Sequence, residues 1–403
     1  MDRKVIEQVV NELYFSKEAA EYLGISSQRL NQLVHGGQIN PIKRTPAGSL
    51  FLRRDLDERK RDLKTIAPKL ESSHKHNKMD LETSFMYEVI NYYTIQSFHN
   101  YSDKKTEPIF RKLSSKINMK KEFTKISHQI SDILTIDKLK LENSYKKIKK
   151  GFESLNQNDI ILKKGTKDYP ELLSYTNEAP PYLFLRGNMN LLKEKIVSVV
   201  GSREASKDGL EKAYRLSRLL GKAGIVVASG LARGIDTSAH KASIESKFPT
   251  IAVLGTPITR AYPKENEKLQ QIISKDGLVV SQFPPSSQVQ RWFFPMRNAV
   301  MSGISLATAI VEAGETSGAL KQADYALKQK RLVFIPQSAL DNENITWPKK
   351  YIKREGAAKF TKIEDLFAEL EKADIISYVK EQNVEQLSLL DEGMGEVYVH
   401  QFK

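Results

Sequence analysis

The sequence predicts an α/β protein whose larger part is a doubly wound parallel sheet, and three observations carry that prediction. Between about residues 196 and 336, runs of β-forming residues alternate with helical patterns. The runs are almost continuously apolar, as strands covered on both faces must be. Two of them break into loops rich in glycine and arginine: 196–200 runs into Gly201-Ser202-Arg203, and 225–228 runs into Ser229-Gly230-Leu231-Ala232-Arg233-Gly234. A strand that ends in glycine lets backbone N–H groups approach an anion, and a helix starting just after adds the positive end of its dipole. Arginine adds a planar donor suited to phosphate.

Strands are expected at 196–200, 225–228, 250–254, 278–283, 307–312 and 332–336, with helices near 207–223, 235–246, 264–275, 297–303 and 318–329. Right-handed crossovers bring the strand ends to one face, and ligands of such sheets bind beyond the carboxyl ends. Gly201, Ser202 and Arg203 follow the first strand; Ser229, Gly230, Arg233 and Gly234 follow the second; Gly255 follows the third. Arg297 and Asn298 follow the fourth, and Glu312, Ser317 and Gly318 the fifth. Arg203 and Arg233 are read as anion contacts. Asn298 is grouped with them, although a tie between loops is the plainer role for its amide. Asp236 is read as structural, able to meet His240 one helical turn on and orient its ring. Glu312 is read as a loop partner rather than an acid. Tyr262, Trp292 and Phe293 are candidates for stacking against bases.

Ahead of the sheet, residues 1–60 form a separate pattern. Ser16 caps a short helical run to Leu23, Gly24 breaks it, and a second run covers Ser26 to Val34. Gly36-Gly37 ends that run, and two short basic strands follow around the Pro46-Ala47-Gly48 turn. Helix, glycine turn, helix and basic wing is the layout of a helix-turn-helix. The stretch resembles the MerR/excisionase type. On duplex DNA, Ser27, Gln28, Arg29 and Asn31 would face the major groove, and Lys43, Arg44 and Arg53 the backbone. A helix-turn-helix that docks a protein is the alternative. Residues 61–150 read as a lysine-rich helical connector, 151–370 as the sheet domain and 371–403 as a tail. The tract Lys146 to Lys150 reads as a solvated helix end rather than a nucleic-acid contact.

Composition narrows the function. The chain has 403 residues and carries 63 lysines and arginines against 49 acids, a net charge of +14. Such a balance favours an anionic partner, nucleic acid before an acidic membrane surface. With no cysteine there is no thiol catalysis, disulfide or zinc–thiolate site. His74 and His76 lack a third ligand, so no metal is expected, and no cofactor is implied. No apolar run is long enough to span a bilayer, and the first residues carry no signal core; a cytoplasmic location is expected. There is no GxxxxGK[ST] stretch, and GSREASKDG stands where a GxGxxG fingerprint would, which argues against a P-loop ATPase and against hydride transfer.

DYPELL and APPYLFLRGN (168–188), VVGSR, SGLARGIDTSAH, TIAVLG with AYPKEN, FPMRN and VEAGETSGAL occur in order over about 200 residues. In these motifs the stretch from about 157 to 359 resembles the DprA/Smf family of DNA-processing proteins. The resemblance implies an extended Rossmann-like fold, with the small winged helix-turn-helix and the helical connector added to it. It also implies a non-enzymatic protein that holds single-stranded DNA in a basic pocket, dimerises and hands the strand to a RecA-like recombinase. By resemblance, phosphate contacts fall on Gly201, Ser202, Arg203, Arg233 and Arg297. Ala299 stands where the family has a second arginine, Gln282 where it has a glutamate and Pro257 where it has a glycine. These departures, with a helix-turn-helix at the amino end, suggest service to a mobile element or a defence system. A nucleotide sensor or phosphoribohydrolase-like enzyme of the same fold superfamily is the alternative.

Overall fold

The computed structural model describes residues 12–23, 30–31, 33–34, 39–45, 48–57 and 78–372. The chain divides into two compact units, 1–75 and 76–403. In the first, β1 (Leu13–Phe15) runs into α1 (Ser16–Leu23), and β2 (Lys43–Thr45) and β3 (Gly48–Leu52) make the expected hairpin. The three strands form an antiparallel sheet in the order β1-β3-β2. Ala19, Ala20 and Leu23 share one face of α1, so that face packs with Leu30, Leu33, Phe51 and Leu56 into a small core. Most of the second expected helix, with Ser27, Gln28 and Arg29, lies outside the described residues, as do His74, His76 and residues 373–403.

The second unit begins with four helices: α2 (Ser84–Ser97), α3 (Asp103–Ser114), α4 (Phe123–Leu134) and α5 (Lys138–Phe152). This segment is no connector. Leu141, Tyr145, Ile148 and Phe152 recur at helical spacing on α5 and pack, with Val89, Tyr93 and Ile130, against residues of the sheet. The expected boundary near residue 150 therefore cuts through one hydrophobic core. Lysine content suggested a linker, but the lysines occupy the outer face and the apolar stripe faces in.

The sheet has nine strands: β4 (Ile160–Lys163), β5 (Tyr182–Gly187), β6 (Ile196–Val200), β7 (Val226–Ser229), β8 (Thr250–Leu254), β9 (Leu278–Ser281), β10 (Ala307–Ile310), β11 (Leu332–Pro336) and β12 (Ala357–Phe360). Their order is β12-β11-β10-β6-β7-β8-β9-β5-β4. Pairing is parallel from β12 to β9, and β5 and β4 add an antiparallel edge. The six central expectations hold within a few residues; β4, β5 and β12 were not foreseen. Helices α6 (Lys207–Lys222), α7 (Ile235–Glu245), α8 (Glu267–Asp276), α9 (Phe293–Ile304), α10 (Gly318–Lys328) and α11 (Ile363–Lys372) cover the faces. On β6, Val197 and Val199 pack beneath α6, α7 and α11, while Ile196 and Val200 pack beneath α9 and α10. That two-residue alternation explains why the strand is apolar at every position but Ser198, whose buried hydroxyl meets Ser305 Oγ at 2.7 Å. Among the described residues no helix is long and apolar enough to cross a membrane.

Candidate nucleic-acid interface

The strand order fixes where a ligand can sit. From β6 the chain steps to β7 on one side and later returns to β10 on the other. The loops after β6 and β10 therefore diverge from adjacent strand ends, the switch point of a doubly wound sheet. They are tied at their base. Ser202 N donates to Glu312 O at 2.7 Å, and Ser206 N donates to Glu312 Oε1 at 2.9 Å. Ser206 also caps α6, its Oγ accepting from Gly209 N at 2.9 Å. Glu312 is thus the loop partner it was expected to be.

Above these ties opens a cleft of about 500 Å³, lined by Gly201, Ser202, Arg203, Asn298, Ser317 and Gly318, with Thr316 and Lys321 beside them. The N-terminus of α10 lies at this cleft, with Ser317 as its cap. A neighbouring cleft of about 480 Å³ lies over the ends of β7 and β8 and is lined by Arg203, Arg233, Tyr262, Lys264, Glu265 and Phe294. Arg203, Phe294 and Arg297 border both. Arg203 is exposed, its guanidinium 5.7 Å from the centre of the Phe294 ring, and it has no carboxylate partner among the described residues. That placement leaves its donors free to meet an anion.

Arg297 is placed differently. It is 5% exposed, and it donates to Gly230 O, to Val253 O at 2.6 Å and to Asn298 Oδ1 at 3.0 Å. It forms the floor of the clefts rather than a surface contact. Burial pulls its pKa down to about 10, with Asp236 pulling the other way, so it stays cationic at neutral pH. Gly230 is glycine because a Cβ there would lie 2.0 Å from Arg297 Nη1. The loop amides are also occupied: Asp236 accepts from Gly230 N at 3.1 Å and Ala232 N at 3.3 Å. Burial raises the Asp236 carboxyl, while Arg297 and these N–H donors act against that.

Several expectations are corrected here. Ser229 is buried and donates to Val199 O at 2.7 Å, so it offers nothing to a ligand. Gly230 has both backbone groups engaged. Gly234, at φ 73°, abuts Ser202 O and shapes the turn. Arg233 is exposed but paired with Glu265, whose carboxyl the hydrogen bond from Arg233 holds below the usual carboxylate range. Asp236 does not bond His240. The buried His240 ring meets Thr250 Oγ1 at 2.9 Å instead, and burial pushes its pKa down to about 3. Asn298 does tie loops, donating to Gly318 O at 3.2 Å. Phe293 is core, stacked on Phe283, whereas Tyr262 and Trp292 are half exposed. At Gly255 a Cβ would lie 2.6 Å from the Phe294 ring. Ala299, which stands where the family has a second arginine, is buried.

Lys264, Thr316 and Lys321 were missed; they are exposed polar residues in loops or a first helical turn, with no local pattern to single them out. In the amino-terminal unit Lys43 is exposed on β2, and Arg53 lies 3.9 Å from Asp57 and over the Tyr22 ring. Arg44 lies on β2 as well. Among the described residues no group of three potential ligands could hold a metal ion.

Comparison with known proteins accords with this geometry. Residues 160–371 match the family model of DNA recombination-mediator protein A, more than half of the chain. The chain is 40% identical over 204 residues to the DNA processing protein DprA of Streptococcus pneumoniae, covering 50% of this chain and 71% of that protein. It is 34% identical over 240 residues to DprA of Bacillus subtilis, covering 59% and 80%. The crystal structure of Streptococcus pneumoniae DprA superposes with a TM-score of 0.56 at 29% identity, covering 69% of this chain and 97% of that one. That share exceeds residues 160–371, so the likeness reaches outside the family-matched segment. The chain belongs to the DNA recombination-mediator protein A family, the DprA/Smf proteins.

Proposed function

We propose that the protein binds single-stranded DNA at the carboxyl edge of the sheet, as a binding protein rather than a catalyst. The observation that carries this reading is Arg203, an exposed cation without a carboxylate partner where two clefts meet. Membership of a DNA-processing family and a net charge of +14 support it. A backbone phosphate would meet Arg203 and the N-terminus of α10, with Lys321 and the buried Arg297 supplying further positive potential. The two acids of the loop after β10 are engaged elsewhere: Glu312 with Ser206, and Glu315 with Thr346 and Trp347. This disfavours the reading as a nucleotide-cleaving enzyme. Release of free base from nucleoside monophosphates would restore that reading.

Arg203→Ala should weaken binding of a labelled oligo-dT by roughly 1–3 kcal/mol, alike for every sequence, and make it less sensitive to salt. Fluorescence anisotropy showing unchanged affinity would move the site elsewhere. Delivery of the strand to a RecA-like recombinase, self-association as a homodimer and contact of the amino-terminal unit with duplex DNA extend the same proposal. The hairpin that carries Lys43 and Arg44 supports the last of these.

A further inference from the structure

The end of α5 carries a set of cations that the site above does not use. Leu141, Tyr145, Ile148 and Phe152 are buried, which turns Lys146, Lys147 and Lys150 outward. Lys149 pairs with Glu82 at 2.7 Å and Lys138 with Glu142 at 3.7 Å. Lys146, Lys147 and Lys150 have no carboxylate partner among the described residues.

The position of this helix end gives the cations a purpose. Gly151 is seated on the loop between β9 and α9, where a Cβ would lie 2.4 Å from Ser286 Cα. That loop leads through Arg291 and Trp292, both exposed, to Phe294, over which Arg203 lies. From Ser286 to Phe294 the chain advances eight residues, at most about 29 Å if fully extended. The basic helix end is therefore joined to the aromatic side of the clefts by a short loop that carries an exposed arginine and an open aromatic ring.

We infer that Lys146, Lys147 and Lys150 form a second phosphodiester-binding surface, reached by a single strand that leaves the clefts over Arg291 and Trp292. The inference rests on the strand-binding reading of the clefts. Only a strand longer than the cleft site uses it. The clefts take the first phosphates, and the helix end takes those several nucleotides away. Trp292, 55% exposed, offers a base a stacking face on the way.

The test uses the full chain with all three lysines changed to glutamine, beside Arg203→Ala and the unaltered protein. Each is titrated with oligo-dT of about 6 nucleotides, within the span of one binding module, and of about 20, longer than one module covers. The triple variant should bind the long oligonucleotide roughly tenfold more weakly and lower the magnitude of its salt slope by about 2, near 0.7 per lost phosphate contact. Its affinity for the short one should not change, and its circular dichroism melt should match that of the unaltered protein. Arg203→Ala should weaken both. Equal affinity of the triple variant and the parent for the long oligonucleotide overturns the inference while leaving the cleft reading intact. Loss of binding to phosphatidylserine vesicles, with DNA binding unchanged, also overturns it and assigns the lysines to a membrane. If Arg203→Ala changes nothing but the triple variant still loses the long oligonucleotide, the cleft reading falls and the helix surface stands alone.

Discussion

The floor and the rim of the sheet's carboxyl edge use the same residue type for opposite ends. Arg297 on the floor is buried against two backbone carbonyls and an amide. Arg203 on the rim lies exposed over an aromatic ring. Both were read as phosphate contacts, Arg203 from its strand-end loop and from the family resemblance, Arg297 from the resemblance. The difference is that the floor must first solve its own electrostatics. Asp236 gathers two loop N–H groups, burial opposes its charge, and Arg297 supplies the compensating field. Donors spent on that arrangement are unavailable to a ligand, so recognition passes to the rim.

The comparison breaks most visibly if Arg297 is removed. Arg297→Ala leaves Gly230 O and Val253 O without their donor and Asp236 without its nearest positive field. We expect a loss of about 3–5 kcal/mol in urea unfolding, the scale for a buried charge stripped of its partner. Arg203→Ala should leave the urea midpoint where it is. A stable Arg297→Ala protein that has lost only DNA affinity would show that the buried arginine reaches the ligand after all.

Acid should separate the buried groups next. His240 has its pKa lowered to about 3 by burial, so the unfolded chain, with an ordinary histidine, takes up the proton first. Its contribution is complete above pH ~6.5 and is lost as pH falls, at about 1.4 kcal/mol per unit down to the folded value. Asp103 has the opposite sign. Burial raises its pKa to about 6, so the folded state takes up the proton first and gains stability as pH falls from that value to the ordinary carboxylate range near 3.9. The two slopes oppose one another between about pH 6 and 4. Asp103→Asn should expose the histidine slope, about 2 kcal/mol lost between pH 6 and 4.5. Identical pH profiles of urea midpoint for Asp103→Asn and the parent would show that these two burials do not govern acid stability.

How much of this was legible in the sequence follows from what sequence patterns encode. Nearly continuous apolar runs made β6 to β11 readable, because burial on both faces leaves few polar residues to blur them. β5 escaped because its residues lie among prolines and glycine in APPYLFLRGN, which reads as a lead-in rather than a strand. The helical layer was half read: its helices were visible in their apolar spacing, but nothing local told that the stripe of α5 meets Tyr182 and Phe184 across the fold. For the site, strand-end glycines located the edge correctly. What could not be read was which polar group faces in. Arg297 and Arg233 both follow a strand in sequence, yet Val253 O takes one and Glu265 the other, and both partners are distant along the chain.

The Arg233–Glu265 pair offers the smallest and finest test of the division between floor and rim. Both side chains are largely exposed, at 67% and 49%, so the pair adds little to stability and is open to solvent and salt. In the free protein it occupies a cation that faces the second cleft, and it places a carboxylate where a phosphate would approach. Glu265→Gln removes that carboxylate and releases Arg233. If the rim is the binding layer, affinity for oligo-dT should rise about threefold at low salt, the gain should shrink as salt increases, and the urea midpoint should stay in place. A fall in affinity would mean that Glu265 holds Arg233 in its binding pose, and the rim would then share the floor's dependence on internal pairing.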